Sequence, residues 1–297
     1  MMHDIRFAQD YKNNDPVRKS LSDLALGTFG ISFEDWYQKG YWKERFIPYS
    51  YLDGDRVIAN VSVNIMDLII NGEIKQAVQI GTVMTHPDYR NKGLSSSLMT
   101  RVLEDYENKC EYMYLFANES VLDFYPKFGF RPVQEQLFSL ENRSENQSVQ
   151  TSNKSVRKLD IHNEADLALL YRRSLERLPN SRRLGTANVE GTLMFYALNV
   201  FSEEIYYLEE ENIIVIYKKE GERIDLFDII SAKEFEFRDI LAQIADCDVR
   251  EVVFHYTPDY KGINLNQHPY DGGLFVRTQS GDISSFQNIK YPITSVT

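Results

Sequence analysis

Val83-Met84-Thr85-His86-Pro87-Asp88-Tyr89-Arg90-Asn91-Lys92-Gly93-Leu94-Ser95-Ser96 is the stretch on which the reading of this chain turns. Residues 77–85 have the composition of a strand and run into Pro87. A short turn follows with Arg90 and Lys92, and Gly93 opens a segment in which Leu94, Leu98, Val102 and Tyr106 recur at every fourth residue, with Met99 and Leu103 widening the stripe. That is helical spacing. A helix start offers unpaired N–H groups and the positive end of the helix dipole, and a glycine there lets an anion approach the backbone. Arg90 and Lys92 add positive charge to a chain whose net charge is -11. Taken alone, the stretch leaves two readings open: a phosphate-binding turn, or an ordinary turn with solvated basic residues.

Working outward, Phe116-Ala117-Asn118-Glu119-Ser120-Val121-Leu122-Asp123-Phe124-Tyr125-Pro126-Lys127-Phe128-Gly129-Phe130 follows a short apolar strand over residues 112–117 and predicts a short helix over 120–127. Upstream, residues 16–26 read as a helix with Asp15 as cap and Pro16 in the first turn. Residues 47–52, 57–63 and 68–70 read as strands punctuated by Asp53-Gly54-Asp55 and Asn71-Gly72. Phe130 and residues 137–140 suggest closing strands. The sum is an α+β layer fold, helices flanking one mixed, mostly antiparallel sheet.

Residues 141–155, ENRSENQSVQTSNKS, carry almost no apolar side chain and read as a polar linker. It divides the chain into a domain over 1–140 and another over 156–297. The second repeats the order of the first: helices over 164–178 and 191–200, strands over 205–208, 213–218 and 223–230, a helix over 235–245, and strands over 251–256 and 274–277. Where the first half has its glycine turn, the second has Asp228-Ile229-Ile230-Ser231-Ala232-Lys233-Glu234, acidic and without glycine, so no cofactor is expected there.

The two quoted stretches together resemble the GNAT superfamily of acetyltransferases. Its Arg/Gln-x-x-Gly-x-Gly/Ala signature is similar to Arg90-Asn91-Lys92-Gly93-Leu94-Ser95, with Ser95 where a Gly or Ala is usual. The second stretch is similar to the family's Asn after a strand followed by Phe/Leu-Tyr-x-Lys-x-Gly-Phe. The resemblance covers residues 6–140 in element order and is specific over 81–131. It implies a GNAT-like fold followed by a second, degenerate GNAT-like domain, and acetyl-CoA as co-substrate. Backbone groups of Val83, Met84 and Thr85 would pair with the pantetheine arm. Arg90, Asn91, Lys92, Gly93, Leu94, Ser95 and Ser96 would hold the pyrophosphate. Asn118 would bond the cofactor arm, cap the next helix, or both. Tyr125 would protonate the leaving thiolate, since a phenol of pKa about 10 can do so when placed beside sulfur. The competing assignment for Tyr125 is a core tyrosine, and Pro126 bends the chain there.

The general base stays open among His86, the Thr297 carboxylate and a water relay. Gln79 is an amide and cannot serve. Trp36, Tyr37, Tyr41 and Trp42 either wall an acceptor site or pack a helix on the sheet. His3, His86, His162, His255 and His268 have no metal-ligand spacing, so no metal is expected. No nucleophile motif appears, which predicts direct attack of an amine on the thioester. Lys plus Arg number 33 against 44 Asp plus Glu, a balance that disfavours nucleic acid as a partner. Two cysteines, no signal-peptide pattern and no apolar run of membrane length predict a soluble, cytoplasmic protein without membrane contact. The expected partner is a small-molecule or peptide amine, and a homo-oligomer is left open. Two other functions stay open at this stage, an acyl-CoA-binding sensor or protein-interaction module, and a transferase of longer acyl or aminoacyl groups.

Overall fold

The computed structural model describes residues 5–142 and 156–296. Most of the linker, the Thr297 carboxylate and the first four residues, where a signal peptide would start, lie outside them.

Strand β1 (Ile5–Gln9) leads into α1 (Asp15–Phe29) and α2 (Glu34–Gln38). Helix α1 starts because Asn14, not Asp15, caps it: the Asn14 side chain accepts from the Val17 N–H, and Pro16 occupies the first turn. β2 (Phe46–Asp53), β3 (Arg56–Ile70) and β4 (Glu73–Thr85) form an antiparallel meander. The predicted strands at 57–63 and 68–70 are one continuous strand, β3. Helix α3 (Leu94–Tyr106) buries Leu98, Met99 and Val102 against this sheet. β5 (Tyr112–Phe116) pairs parallel to β4. In place of the predicted short helix come two 3-10 turns, Glu119–Val121 and Tyr125–Phe128, the second with Pro126 in its first turn. β6 (Arg131–Pro132) and β7 (Glu135–Glu141) complete the first half.

The second half contains β8 (Val156–Lys158), α4 (Glu164–Glu176), β9 (Leu184–Ala187), α5 (Glu190–Asn199), β10 (Ile205–Leu208), β11 (Ile213–Glu220), β12 (Arg223–Ile230), α6 (Phe237–Ile244), β13 (Glu251–Phe254), β14 (Asn266–Tyr270) and β15 (Leu274–Thr278). Asn163 caps α4 by accepting from the Ala165 and Asp166 N–H groups.

The two sheets have the same plan. One runs β1-β2-β3-β4-β5-β15-β6, with β9 added beside β3, and the other runs β8-β10-β11-β12-β13-β7-β14. In each, the fourth and fifth strands are the parallel pair. The next position is filled from the other half of the chain. β15 lies between β5 and β6, and β7 lies between β13 and β14. The expected closing strands thus exist but close each other's sheets. The change of composition near residue 141 marks a boundary in sequence, while hydrogen bonding crosses it twice. Asn142, at the start of the linker, is itself held on the second half, its N–H donating to the Arg250 carbonyl at 2.7 Å.

One hydrophobic core also spans both halves. Phe33, Trp36, Trp42 and Phe46 pack with Leu170, Leu193 and Met194, and the Trp36 indole donates to the Gly191 carbonyl at 2.7 Å. Trp36, Tyr41 and Trp42 are buried, and Tyr37 lies under the Arg18 guanidinium at 3.7 Å. The aromatic segment is a core between the halves, not a cation-binding wall. Glu34 is engaged as well, since it pairs with Arg18 at 3.0 Å.

Candidate active site

Parallel pairing of β4 and β5 lasts only from Ala77 opposite Tyr112 to Ile80 opposite Leu115. β4 continues to Thr85, whereas β5 ends at Phe116 and turns toward Asn118. The two strands therefore splay, and among the described residues 81–85 of β4 have no strand partner on the β5 side. A strand edge with unpaired N–H and C=O groups can take an extended ligand as a further strand. Val83, Met84 and Thr85 all lie on this edge.

The edge points at the glycine turn. Asn91 and Gly93 both adopt positive φ, 60° and 76°, so the chain reverses tightly before α3. No side chain caps α3, its first turn holds no acidic residue, and a Cβ built on Gly93 would meet nothing within 4 Å. The N–H groups of the first turn thus face open space at the positive end of the dipole. Arg90 folds back onto the Thr85 carbonyl at 3.3 Å. Lys92 bonds the Asp88 carbonyl at 3.1 Å and lies over the Tyr89 ring. Both side chains are exposed on flexible stems. Ser95 has a positional task, because its hydroxyl meets that of Thr85 at 2.6 Å and ties the end of β4 to the first turn of α3.

Tyr125 is buried on the same face of the sheet as α3, among Phe124, Phe130 and Phe275. Burial pushes its phenol up to about 12. Phe275 comes from the exchanged strand β15, so the second half builds part of the Tyr125 pocket. Asn118 is exposed where β5 ends, and its side chain makes no capping bond to the turn that follows.

His86 is engaged elsewhere. Its Nδ1 accepts from the Asp88 N–H, and its Nε2 sits 2.6 Å from the Arg56 guanidinium, so it organises the turn after β4. On the face opposite α3, Tyr114 of β5 reaches Gln79 at 3.5 Å and Tyr291 at 2.5 Å. Residues 291–296 pack inward, with Tyr291, Thr294 and Ser295 buried. A buried polar group that sequence reading missed surrounds Asn60 and Ser62. The signal was available: Asn60, Ser62 and Asn64 recur at every second position of the mostly apolar stretch over residues 57–66. Among the described residues no cluster of His, Cys, Asp and Glu could hold a metal ion, and no helix is long and apolar enough to cross a membrane.

The corresponding wedge of the second half is filled by its own chain. β12 and β13 pair from Arg223 opposite Glu251 to Leu226 opposite Phe254 and then part. Beyond that point Arg177 grips both carboxylate oxygens of buried Asp228 at 2.7 and 2.8 Å. Thr294 donates to Asp228 at 2.6 Å, and the Ile293 N–H bonds the His255 carbonyl. Replacing Arg177 with Met is expected to cost about 3–5 kcal/mol, because Asp228 would remain buried without its countercharge. Denaturant unfolding measures this, and a loss below about 1 kcal/mol would refute it.

A replacement at the first turn has a local outcome. Gly93→Val forces a β-branched residue to φ 76° and puts its side chain into the open space above α3. CoA affinity, read by calorimetry, is expected to fall about 10²-fold or more through lost charge-assisted bonds. Unchanged affinity would move the anion site off this turn.

Comparison with known proteins agrees with this geometry. Residues 19–133 match the acetyltransferase (GNAT) domain family. No curated protein matches the chain. Among solved structures, a conserved protein of unknown function from Enterococcus faecalis, described as a probable N-acyltransferase, has a TM-score of 0.60 at 17% identity, over 95% of this chain and 74% of that one. A GCN5-related N-acetyltransferase from Kribbella flavida gives 0.58 at 18%, covering 93% and 71%. Eis1 from Mycobacterium abscessus gives 0.56 at 15%, covering 93% and 73%. At these identities the likeness is one of fold, and it extends over both halves. Residues 19–133 are thus similar to the GNAT acetyltransferase domain family, and the uncapped glycine turn and the splayed parallel strands both lie within that stretch.

Proposed function

We propose that this protein binds acetyl-CoA in the β4–β5 wedge and transfers the acetyl group directly to an amine. The observation that carries the proposal is the combination of three features: residues 81–85 of β4 without a strand partner on the β5 side, an uncapped helix start at Gly93, and a buried phenol on the α3 face. Edge groups of Val83, Met84 and Thr85 take the amides of the pantetheine arm. The turn from Arg90 to Ser96 takes the pyrophosphate, and the Asn118 amide bonds the arm from the β5 side.

A neutral amine then attacks the thioester carbonyl carbon. The C–N bond forms, the C–S bond breaks, and Tyr125 gives its proton to the departing sulfur. Because burial holds Tyr125 near 12, it stays protonated at working pH and gives up its proton only to a strong base such as a nascent thiolate. The amine proton leaves through water on the opposite face of the sheet, since His86 is committed to Arg56 and Asp88. Cys110 and Cys247 are both free thiols, which suits a reducing compartment, and we place the protein in the cytoplasm on that basis. Thiol release from acetyl-CoA and longer acyl-CoAs over an amine panel tests the reading. Amine-dependent release that is fastest with acetyl-CoA is expected. Release only with long acyl chains, or none despite CoA binding, would replace it.

A further inference from the structure

At the start of the splayed edge, β4 carries one residue more than β3. Ser62 lies opposite Gly81 but Asn60 lies opposite Met84, a bulge that contains Thr82. Thr82 sits at φ 42°, a left-handed conformation that β-branched residues avoid. Something must hold it there. The Asn60 amide N–H₂ donates to the Thr82 carbonyl at 2.9 Å, to the Thr82 hydroxyl at 3.2 Å and to Ser62 at 2.9 Å. The Thr82 hydroxyl donates to Ser62 at 2.6 Å. Asn60 is itself fixed through its carbonyl oxygen, which accepts from Ser50 at 2.8 Å, and Ser50 meets the Tyr11 hydroxyl at 2.5 Å. Ser50, Asn60 and Ser62 are all buried.

The direction of this network matters. Ala59, Val61 and Val63 face the α3 side of the sheet, so Asn60 and Ser62, alternating with them, face the other side. No peptide bond described is cis. In a trans peptide the C=O and the following N–H point in opposite directions. With the Thr82 carbonyl drawn onto Asn60, the Val83 N–H is aimed away from Asn60, into the wedge or toward the α3 face where Tyr125 lies. Building on the acyl-CoA reading, we infer that Asn60 is a positioning residue: by holding the Thr82 peptide it aims the Val83 N–H at the carbonyl oxygen of the bound thioester. A donor fixed in this way strengthens as negative charge develops on that oxygen, so its aim affects turnover more than cofactor affinity.

The experiment compares the wild type, N60A and the double variant N60A/T82G, in which glycine tolerates the positive φ and relieves the strain without restoring the carbonyl bond. CoA and acetyl-CoA affinities come from calorimetry, turnover from thiol release, and the Val83 amide signal from NMR of labelled protein. In N60A, affinity for CoA is expected to hold within about twofold, because the pyrophosphate turn is separate, while turnover falls about 10²-fold. The Val83 amide should shift on acetyl-CoA addition in the wild type and not in N60A. N60A/T82G should regain thermal stability but not turnover. Full turnover in N60A, or recovery of turnover together with stability in the double variant, would overturn the inference, leaving the acyl-CoA reading intact. If N60A fails to fold, the double variant and the wild-type Val83 amide decide, and an amide that ignores acetyl-CoA while the Gly93 turn responds rejects the assignment. A wild type that binds neither CoA nor acetyl-CoA removes the functional reading and this inference together.

Discussion

A chain ending at residue 142 is expected to aggregate rather than fold. Its sheet would lack β15, so β5 and β6 would lose the strand between them. Leu274, Phe275 and Val276 of β15 are all buried, and each such side chain is worth about 1.5–3 kcal/mol. That loss alone is comparable with the roughly 5–15 kcal/mol that holds a whole domain together. The core formed with Leu170, Leu193 and Met194 would be exposed at the same time, and β7 would remain with nothing to pair. Supplying residues 156–297 as a second polypeptide during expression should restore a soluble complex. Solubility, far-UV circular dichroism and CoA calorimetry measure the outcome. A monomeric, cooperatively unfolding fragment with native CoA affinity would show that the exchange of strands is dispensable.

Tyr125→Phe should reduce turnover roughly 10²-fold or more while CoA affinity stays within about twofold. The ring remains, so its packing on Phe124, Phe130 and Phe275 is kept. Only the proton is removed. The pH dependence gives a second handle. With the phenol raised to about 12 by burial, its acid form persists throughout the accessible range, and the wild-type rate should show no alkaline decline from Tyr125 below about pH 11. A decline centred near pH 10 would mean that the phenol is more solvated than the fold implies. Full turnover in the phenylalanine variant would pass the proton donation to water.

Features set by local chemistry were legible in the chain. Gly93 before a stripe at every fourth residue located α3 to the residue, and the Asn71-Gly72 turn separated β3 from β4. Contacts between distant segments were not. Nothing in LFSL or LFVR says which of two similar sheets each will join, because the choice depends on neighbours more than a hundred residues away. The segment holding Trp36 and Trp42 was ambiguous for the same reason: its partners, Phe195 and Gly191, lie in the other half. Pro126 gave a true warning, since Tyr125 sits on a 3-10 turn and not on an α-helix. His86 looked titratable in sequence, but only geometry reveals that Arg56 and Asp88 already occupy it.

The crossing of strands also sets a timetable for synthesis. Synthesis of β6 is complete at residue 132, but its neighbour in the sheet ends at Thr278. At about 5–20 residues per second, the gap lasts roughly seven to thirty seconds. During it the apolar edge of β5, with Tyr114 and Leu115, has no cover, and β7 waits for a sheet that does not yet exist. The nascent chain is therefore expected to be aggregation-prone over that interval. Slowing translation between these points should increase its aggregation, the reverse of what is expected for a protein whose domains mature one after the other.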